Sequence, residues 1–522
     1  MSTNSDVIFE PRIIIPNTLC VALLGKNYLA AIMAPHTTPL PLSSAPVDPH
    51  PRMIDDGGFF KDTVPAEAII SGGGIAGLVL ALALQKHVGI VAEVYEQASG
   101  FADGVGGAIG MYANGLRVLR DIDPSLLSKL REGGYPYLRR RWYRHDGTEV
   151  ANGDESKLSP GGEEELTPLG IRRWKLQRAL IDACSDRGIP VHFGRKIDRV
   201  VRRHRELVEI EFSGGLDGSS PPPPRLTRIL FGCDGVKSRV RDFVVGSGAE
   251  EPEYTGVTCL MGSAPIPSPS RGICFPSSTS TGCHMCTYPT GPNETIFQMY
   301  FPTPEESTEN WGTFSEEGAK EEIETLADKM VEDGWSQRFV NTVRACELGS
   351  LVRVGLRARE PISRWFDDGN NVVLLGDAAH PPVPYIGQGA MMAIEDAGTL
   401  AVLLKELCCM GGEGRKKFSS VNVGTALHLY QEMRIPRTRS VLGKSKVLGK
   451  TQQDRADSWM YNLWREMSIK LQVALNGSLP IMLEGVMYDY RAEAKMLLLR
   501  KKSLEKEEGG EAENMGTMEV HP

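Results

Sequence analysis

Several things are missing from this 522-residue chain, and each absence argues against a class of function. Its ten cysteines show no paired spacing, so the disulfide framework of a small secreted domain is not expected. One CxxC occurs, Cys283-His284-Met285-Cys286, but no second ligand pair stands at zinc spacing. No metal is expected, and buried thiols are the simpler reading. Long apolar runs are also lacking. The stretch Ile13 to Ala34 is interrupted by Asn17, Lys26 and Asn27, whereas a membrane span needs roughly 20 mostly apolar residues. It carries no basic leader region or clean cleavage site either. Nor is there a basic excess: 58 Lys and Arg against 66 Asp and Glu give a net charge of −8, which argues against nucleic acid as a partner. A soluble protein of a reducing, cytoplasmic compartment, without membrane attachment, is the expectation.

What is present is enough chain for a large core and more than one domain. Residues 1–65, with Pro35, Pro39, Pro41, Pro46, Pro49 and Pro51, read as a disordered extension. Residues 501–522, charged and containing Gly, read as a disordered tail. Between them strand and helix patterns alternate. Ala66 to Ile70, Ile75 to His87 and Ile90 to Tyr95 form a strand–helix–strand unit. Gly115 to Arg131 reads as helix with a break at Pro124, and Lys175 to Arg187 as one helix. Residues 191–235 are rich in strands and carry the loop SGGLDGSSPPPP; Tyr254 to Phe301 is again strand-rich. Glu316 to Val343 reads as helical and acidic, and the chain from Ala426 onward as helical. The expected fold is α/β, with a nucleotide-binding domain in two parts (66–250 and 351–425). A β-rich substrate domain (251–350) is interleaved, and C-terminal helices occupy 426–500.

Three segments carry chemistry. Gly72-Gly73-Gly74-Ile75-Ala76-Gly77 is a GxGxxG that follows a strand and opens a helix. Gly72 suits a tight turn, Gly74 a close approach to pyrophosphate, and Gly77 close helix–strand packing. Free N–H groups at the helix start favour phosphate. Glu96 ends the next strand, 19 residues past Gly77, where an acid can bond ribose hydroxyls. The second segment, Gly232-Cys233-Asp234-Gly235, also follows an apolar strand; alone it is an ordinary turn. The third runs from Asn370 to Ala397. Its apolar strand ends in Gly376-Asp377, and a turn rich in Pro and Gly leads into a helix at Gly389-Ala390. A carboxylate at a strand end beside a helix N-terminus suits a polyol or an electron-rich ring.

In this order and setting the three segments resemble the group A, single-component flavin monooxygenases, which include para-hydroxybenzoate and salicylate hydroxylases. The resemblance covers roughly 66–450. It implies a Rossmann-like FAD domain of the glutathione-reductase type, FAD as cofactor and NAD(P)H as transient co-substrate. It also implies oxygen transfer from O₂, through a flavin hydroperoxide, to a small aromatic or polyketide-like secondary metabolite. The long surface loops resemble fungal members. By resemblance, Gly72, Gly74, Gly77 and Glu96 hold the ADP half of FAD, and Asp234 lies near the pyrophosphate and NAD(P)H. Asp377 bonds the ribitol, and Ala390 meets the ring. Ala108 and Gly110 belong to a turn beside the isoalloxazine. Arg173 is the flavin-contacting arginine, with Arg172 beside it a surface charge.

On the substrate side, Tyr254-Thr255-Gly256 and Cys259 to Gly262 align with a YTG…YRG segment whose arginine holds a phenolate. Here Met261 takes that place, which points to a bulkier or less acidic substrate. Tyr288 matches a cavity-lining tyrosine and is the candidate catalytic, substrate-orienting residue, the alternative being a core tyrosine. His284, on the same strand face, reads as structural, and His380 as a brace for the Asp377 turn. Epoxidation, Baeyer–Villiger oxygenation, and a flavoprotein oxidase or reductase without oxygen insertion are the alternative activities. A nucleotide-binding module without turnover is the alternative of another class.

Overall fold

The computed structural model describes residues 64–516, apart from 102, 105, 156–161, 205, 215–219, 247–250, 271, 305–313, 411–416 and 454–458. The expected extension 1–65 falls almost wholly outside the described residues.

A mostly parallel sheet forms one half. Its strand order is Val191–His192, Glu93–Tyr95, Ala66–Ser71, Arg225–Gly232, Leu207–Phe212 and Ile197–His204. Val372–Leu374 pairs in parallel with the far end of Arg225–Gly232, so the strands that carry the three motifs are neighbours. Leu207–Phe212 and Ile197–His204 add an antiparallel edge. The helix Ile75–Ala83 is buried at all nine positions. It has no polar stripe because the sheet lies on one side and helices Arg173–Asp186 and Gly389–Cys408 lie on the others. Leu84–Val88 continues it as a wider π turn, which Gly89 ends. The following strand is shorter than the pattern suggests, Glu93–Tyr95, because only these residues find neighbours in Ala66–Ser71 and Val191–His192.

The second half is a seven-stranded, largely antiparallel sheet. Its order is Val352–Ala358, Glu253–Ala264, Glu294–Pro302, His284–Gly291, Ile273–Ser277, Arg139–Arg144 and Glu149–Asp154. Its last two strands come from inside the 66–250 stretch, so the interleaving is tighter than linear boundaries convey. A small three-stranded sheet, Ala108–Met111, Leu169–Arg172 and Tyr135–Pro136, sits between the two halves in the chain's course. The helical, acidic stretch 316–343 forms two helices, Glu316–Glu332 and Gln337–Arg344, separated at Gly334. The break at Pro124 is present, with Asp123 capping Pro124–Gly133 by accepting from Ser125 N at 2.8 Å. The last helix runs Tyr490–Gly516, past Lys501, where a disordered tail was expected. No described helix is long and apolar enough to cross a membrane.

Candidate functional site

The glycine turn after Ala66–Ser71 is shaped by what its residues lack. Gly72 has φ +100°, and a Cβ there would stand 2.4 Å from the Cys233 carbonyl oxygen. A Cβ on Gly77 would stand 2.0 Å from the Gly72 carbonyl oxygen. Around Gly74, by contrast, a Cβ would meet nothing within 4 Å. The turn is thus tight on its protein side and open on the other. Helix Ile75–Ala83 has no side-chain cap, so its first N–H groups remain available to a ligand. Glu96 is buried beside it. Its two oxygens accept from Gly73 N and Ala98 N, each at 2.8 Å, which fixes the carboxylate at the mouth of the turn.

The Gly376-Asp377 turn is held differently. The Asp377 side chain is exposed and accepts no hydrogen bond from the described residues. The protein packed around it still desolvates the carboxylate and raises its pKa, with His380 and Arg173 acting against that shift. Behind it lies a buried polar network. Asp396 Oδ2 accepts from Gly376 N at 2.9 Å and lies 2.6 Å from His380 Nε2. Arg434 donates through Nε to Asp396 Oδ1 and through Nη1 to Glu395 Oε2, each at 2.7 Å. Glu395 also accepts from Asn114 Nδ2 at 2.7 Å and Arg437 Nη2 at 3.0 Å. Burial pushes both acids up. Arg437 and Arg434 around Glu395, and His380 and Arg434 around Asp396, outweigh it and hold both below the ordinary carboxylate range. His380 is therefore the brace the sequence suggested, and Trp365 packs against its ring. Helix Gly389–Cys408 then opens without a side-chain cap, and Ala390 is half-buried in its first turn.

Asp234 caps the short helix Arg239–Val245, accepting from Arg239 N at 2.9 Å, with Ser238 Oγ also bonded to it. From that helix Arg241 reaches back, and its Nη1 donates to the Ala378 and Ala379 carbonyls at 3.1 Å each. One guanidinium thus ties the second motif to the third.

Ala108 and Gly110 lie on a strand paired with Leu169–Arg172, Ala108 opposite Arg172 and Gly110 opposite Gly170. Arg173 N donates to Gly107 O at 3.0 Å, and the Arg173 side chain is exposed. Arg172 is not the expected surface charge. It is buried, donating to Ser263 Oγ at 2.6 Å and to Glu294 at 2.9 Å, and so pins this strand to the antiparallel sheet.

One face of that sheet closes the site. His284, Cys286 and Tyr288 alternate onto it, in register with Tyr300, Gln298 and Ile296. Met261, opposite Gln298, meets the Gly/Ala strand: a Cβ on Gly107 would stand 2.8 Å from Met261 Sδ. Tyr288 is buried, and its hydroxyl approaches the turn before Gly389, 3.7 Å from where a Gly387 Cβ would be. His284 stacks on Tyr300 with ring centroids 4.6 Å apart. Burial lowers its pKa to about 3, and neither ring nitrogen has a partner among the described residues.

Sequence reasoning missed the buried charges. Glu395, Asp396 and Arg434 were unassigned, as was the buried pair Arg140–Glu155 (2.6 Å), whose Nη2 also donates to Tyr112 Oη at 2.9 Å. The signal was there: adjacent acids inside the apolar helix AMMAIEDAGTLAVLL require buried cations.

Comparisons with known proteins identify the family. A family model described as "FAD binding domain" matches residues 65–418. A 3-amino-4-hydroxybenzoate 2-monooxygenase of Streptomyces platensis is 30% identical over 391 residues, covering 74% of this chain and 88% of the relative. A 6-hydroxynicotinate 3-monooxygenase of Bordetella bronchiseptica is 29% identical over 350 residues, covering 66% and 83%. Among solved structures, Klebsiella pneumoniae HpxO, complexed with FAD and uric acid, superposes with a TM-score of 0.64 at 22% identity. That match covers 81% of this chain and 97% of that one and speaks to the fold.

Proposed function

Because this chain belongs to the FAD-binding-domain family and is an FAD-dependent monooxygenase, we propose that it hydroxylates an electron-rich aromatic ring of a secondary-metabolite-type substrate, with NAD(P)H as reductant and O₂ as oxygen source. One observation carries the reading. The Gly107 turn and the Gly387 turn both abut a single face of the antiparallel sheet, at Met261 and Tyr288 respectively.

The residues present fit FAD. Gly72, Gly74 and Gly77 leave a cradle that a Cβ would fill or distort, and Glu96 suits the adenosine ribose. Asp234 stands at the pyrophosphate end, and the open carboxylate of Asp377 suits a polyol chain. Ala108, Gly110, Arg173 and Ala390 would border the ring. When bound, FAD supplies the two-electron chemistry and oxygen transfer that no side chain here can.

The protein's own tasks are three. The uncapped N–H groups of helix Gly389–Cys408 favour negative charge at the ring edge with little reorganisation. Buried Cys259, Cys286 and Tyr300, with Met261 beside them, exclude water. Tyr288 orients the substrate by a hydrogen bond from its hydroxyl, and burial keeps that phenol protonated. With Met261 at the arginine position and Arg140 paired to Glu155, neither of these two positions offers a free cation for a carboxylate or phenolate among the described residues. A neutral phenol or amine-bearing ring fits. The relatives' names give hydroxylated aromatic substrates, 3-amino-4-hydroxybenzoate and 6-hydroxynicotinate, which support an electron-rich ring. Both carry a carboxylate, so the neutral class rests on Met261 and the Arg140–Glu155 pair alone.

The test is substrate-stimulated NAD(P)H oxidation under ¹⁸O₂. Label in the product is expected, and oxidation without label overturns oxygen insertion. Tyr288→Phe should retain FAD yet lose coupling, reading out as more hydrogen peroxide per NAD(P)H; unchanged coupling removes Tyr288 from the site.

A further inference from the structure

Helix Trp459–Asn476 is inside out. Two of its three charged residues face the protein: Arg465 and Glu466 are only 8% and 6% exposed. Glu466 accepts two bonds from Arg144, at 2.5 and 2.7 Å, and Arg465 donates to Ser277 Oγ at 3.3 Å. Val473 packs in the cluster around Trp142, Val150 and Ala151, and Asp154 N donates to Gly477 O at 2.9 Å. These contacts lock the helix's rotation. They leave Trp459 (72% exposed), Leu463, Met467 (60%), Leu471 and Leu475 (59%) pointing outward, with Met460 beside them. The spacing is four residues throughout, so the side chains form one continuous ridge about 24 Å long. Lys470 is the one exposed charge on this helix.

Scattered exposed apolar residues need no explanation, but an ordered ridge does. We propose that a second copy of this chain covers it, two such helices crossing antiparallel about a two-fold axis at Met467. Ridges of i±4 spacing pack into one another's grooves in the commonest helix-crossing class, and a ridge symmetric about its midpoint is self-complementary. Met467 then meets its own copy, and Leu463 packs on the partner's Leu471. Six such side chains offer on the order of 600 Å² of apolar surface, approaching the ~800 Å² per partner of a standard interface. A lipid surface fits less well, since a net charge of −8 and a lone Lys470 give anionic headgroups little to attract.

The test uses the FAD-loaded full chain. Sedimentation velocity should give twice the 57.1 kDa chain mass. The double substitution Leu463→Glu with Leu471→Glu should halve that mass without loss of flavin. Met467→Cys should form an intermolecular disulfide with itself under mild oxidation; the native thiols of the described residues are buried or half-buried and will not compete. A wild-type chain that sediments as a single copy overturns the proposal. So does a dimer that survives the double substitution, or a single copy that co-floats with phosphatidylcholine vesicles, which would assign the ridge to lipid.

Discussion

Two helices follow motif turns that are built by opposite means. At Ile75 the turn is held by absence: Gly72 and Gly77 leave the space the backbone needs, and Glu96 alone adds a polar tie. Ahead of Gly389, the Gly376-Asp377 turn is held by substance, through Asp396, Glu395, His380 and Arg434, all buried and mutually bonded. The first arrangement resists change sterically. The second is electrostatic and fails when one partner goes. Both leave their helix N-termini uncapped, which is the shared requirement of a site for an anionic ligand.

The largest expected break is Arg434→Met. It strands two buried carboxylates and should cost about 3–5 kcal/mol in urea unfolding; a cost near zero would mean the network does not hold the turn. Acid should act on the same side of the comparison. Glu395 and Asp396 have folded pKa values below the ordinary range. Their contribution is therefore complete above an unfolded pKa of about 4 and fades as pH falls through the folded values. Urea midpoints measured down this range should drop more steeply for wild type than for a Glu395→Gln, Asp396→Asn, Arg434→Met variant.

Asp377→Ala comes next. The side chain is exposed and bonded to nothing described, so the flavin-free protein should melt as wild type does. FAD affinity should fall by about 1.5–3 kcal/mol, the worth of a charged hydrogen bond, read by flavin fluorescence on titration. Gly77→Ala should destabilise the flavin-free protein by about 1–3 kcal/mol through overpacking against Gly72. The smallest effect separates the two glycines. Gly74→Ala should shift flavin-free stability by no more than about 0.5 kcal/mol, because its Cβ enters open space, while flavin retention still declines. Equal melting of the Gly74 and Gly77 variants would erase the steric half of the comparison.

The motif turns were legible in sequence because their physics is local: a glycine's missing Cβ or an acid at a strand end acts within a few residues. What was not legible depends on partners far along the chain. Arg434 reads as an ordinary helix cation until Asp396 is opposite it, 38 residues away. The run RRRWYR shows no local sign of a buried pair, but alternation buries Arg140 against Glu155 and makes the run a strand of the antiparallel sheet. Arg172 and Arg173, adjacent in sequence, part company because one lies on the last strand position and the other on the first helical one.

The strand Val372–Leu374 completes the parallel sheet from far downstream of the glycine turn it stands near. On a ribosome, the segment bearing Gly72–Gly77 emerges some three hundred residues before that strand exists. The flavin-side sheet cannot close during most of synthesis, and its apolar edge along Arg225–Gly232 stays open meanwhile. Cofactor capture is then a late event in this protein's biogenesis. Truncations anywhere before Leu374 should yield aggregation-prone chains rather than smaller flavoproteins.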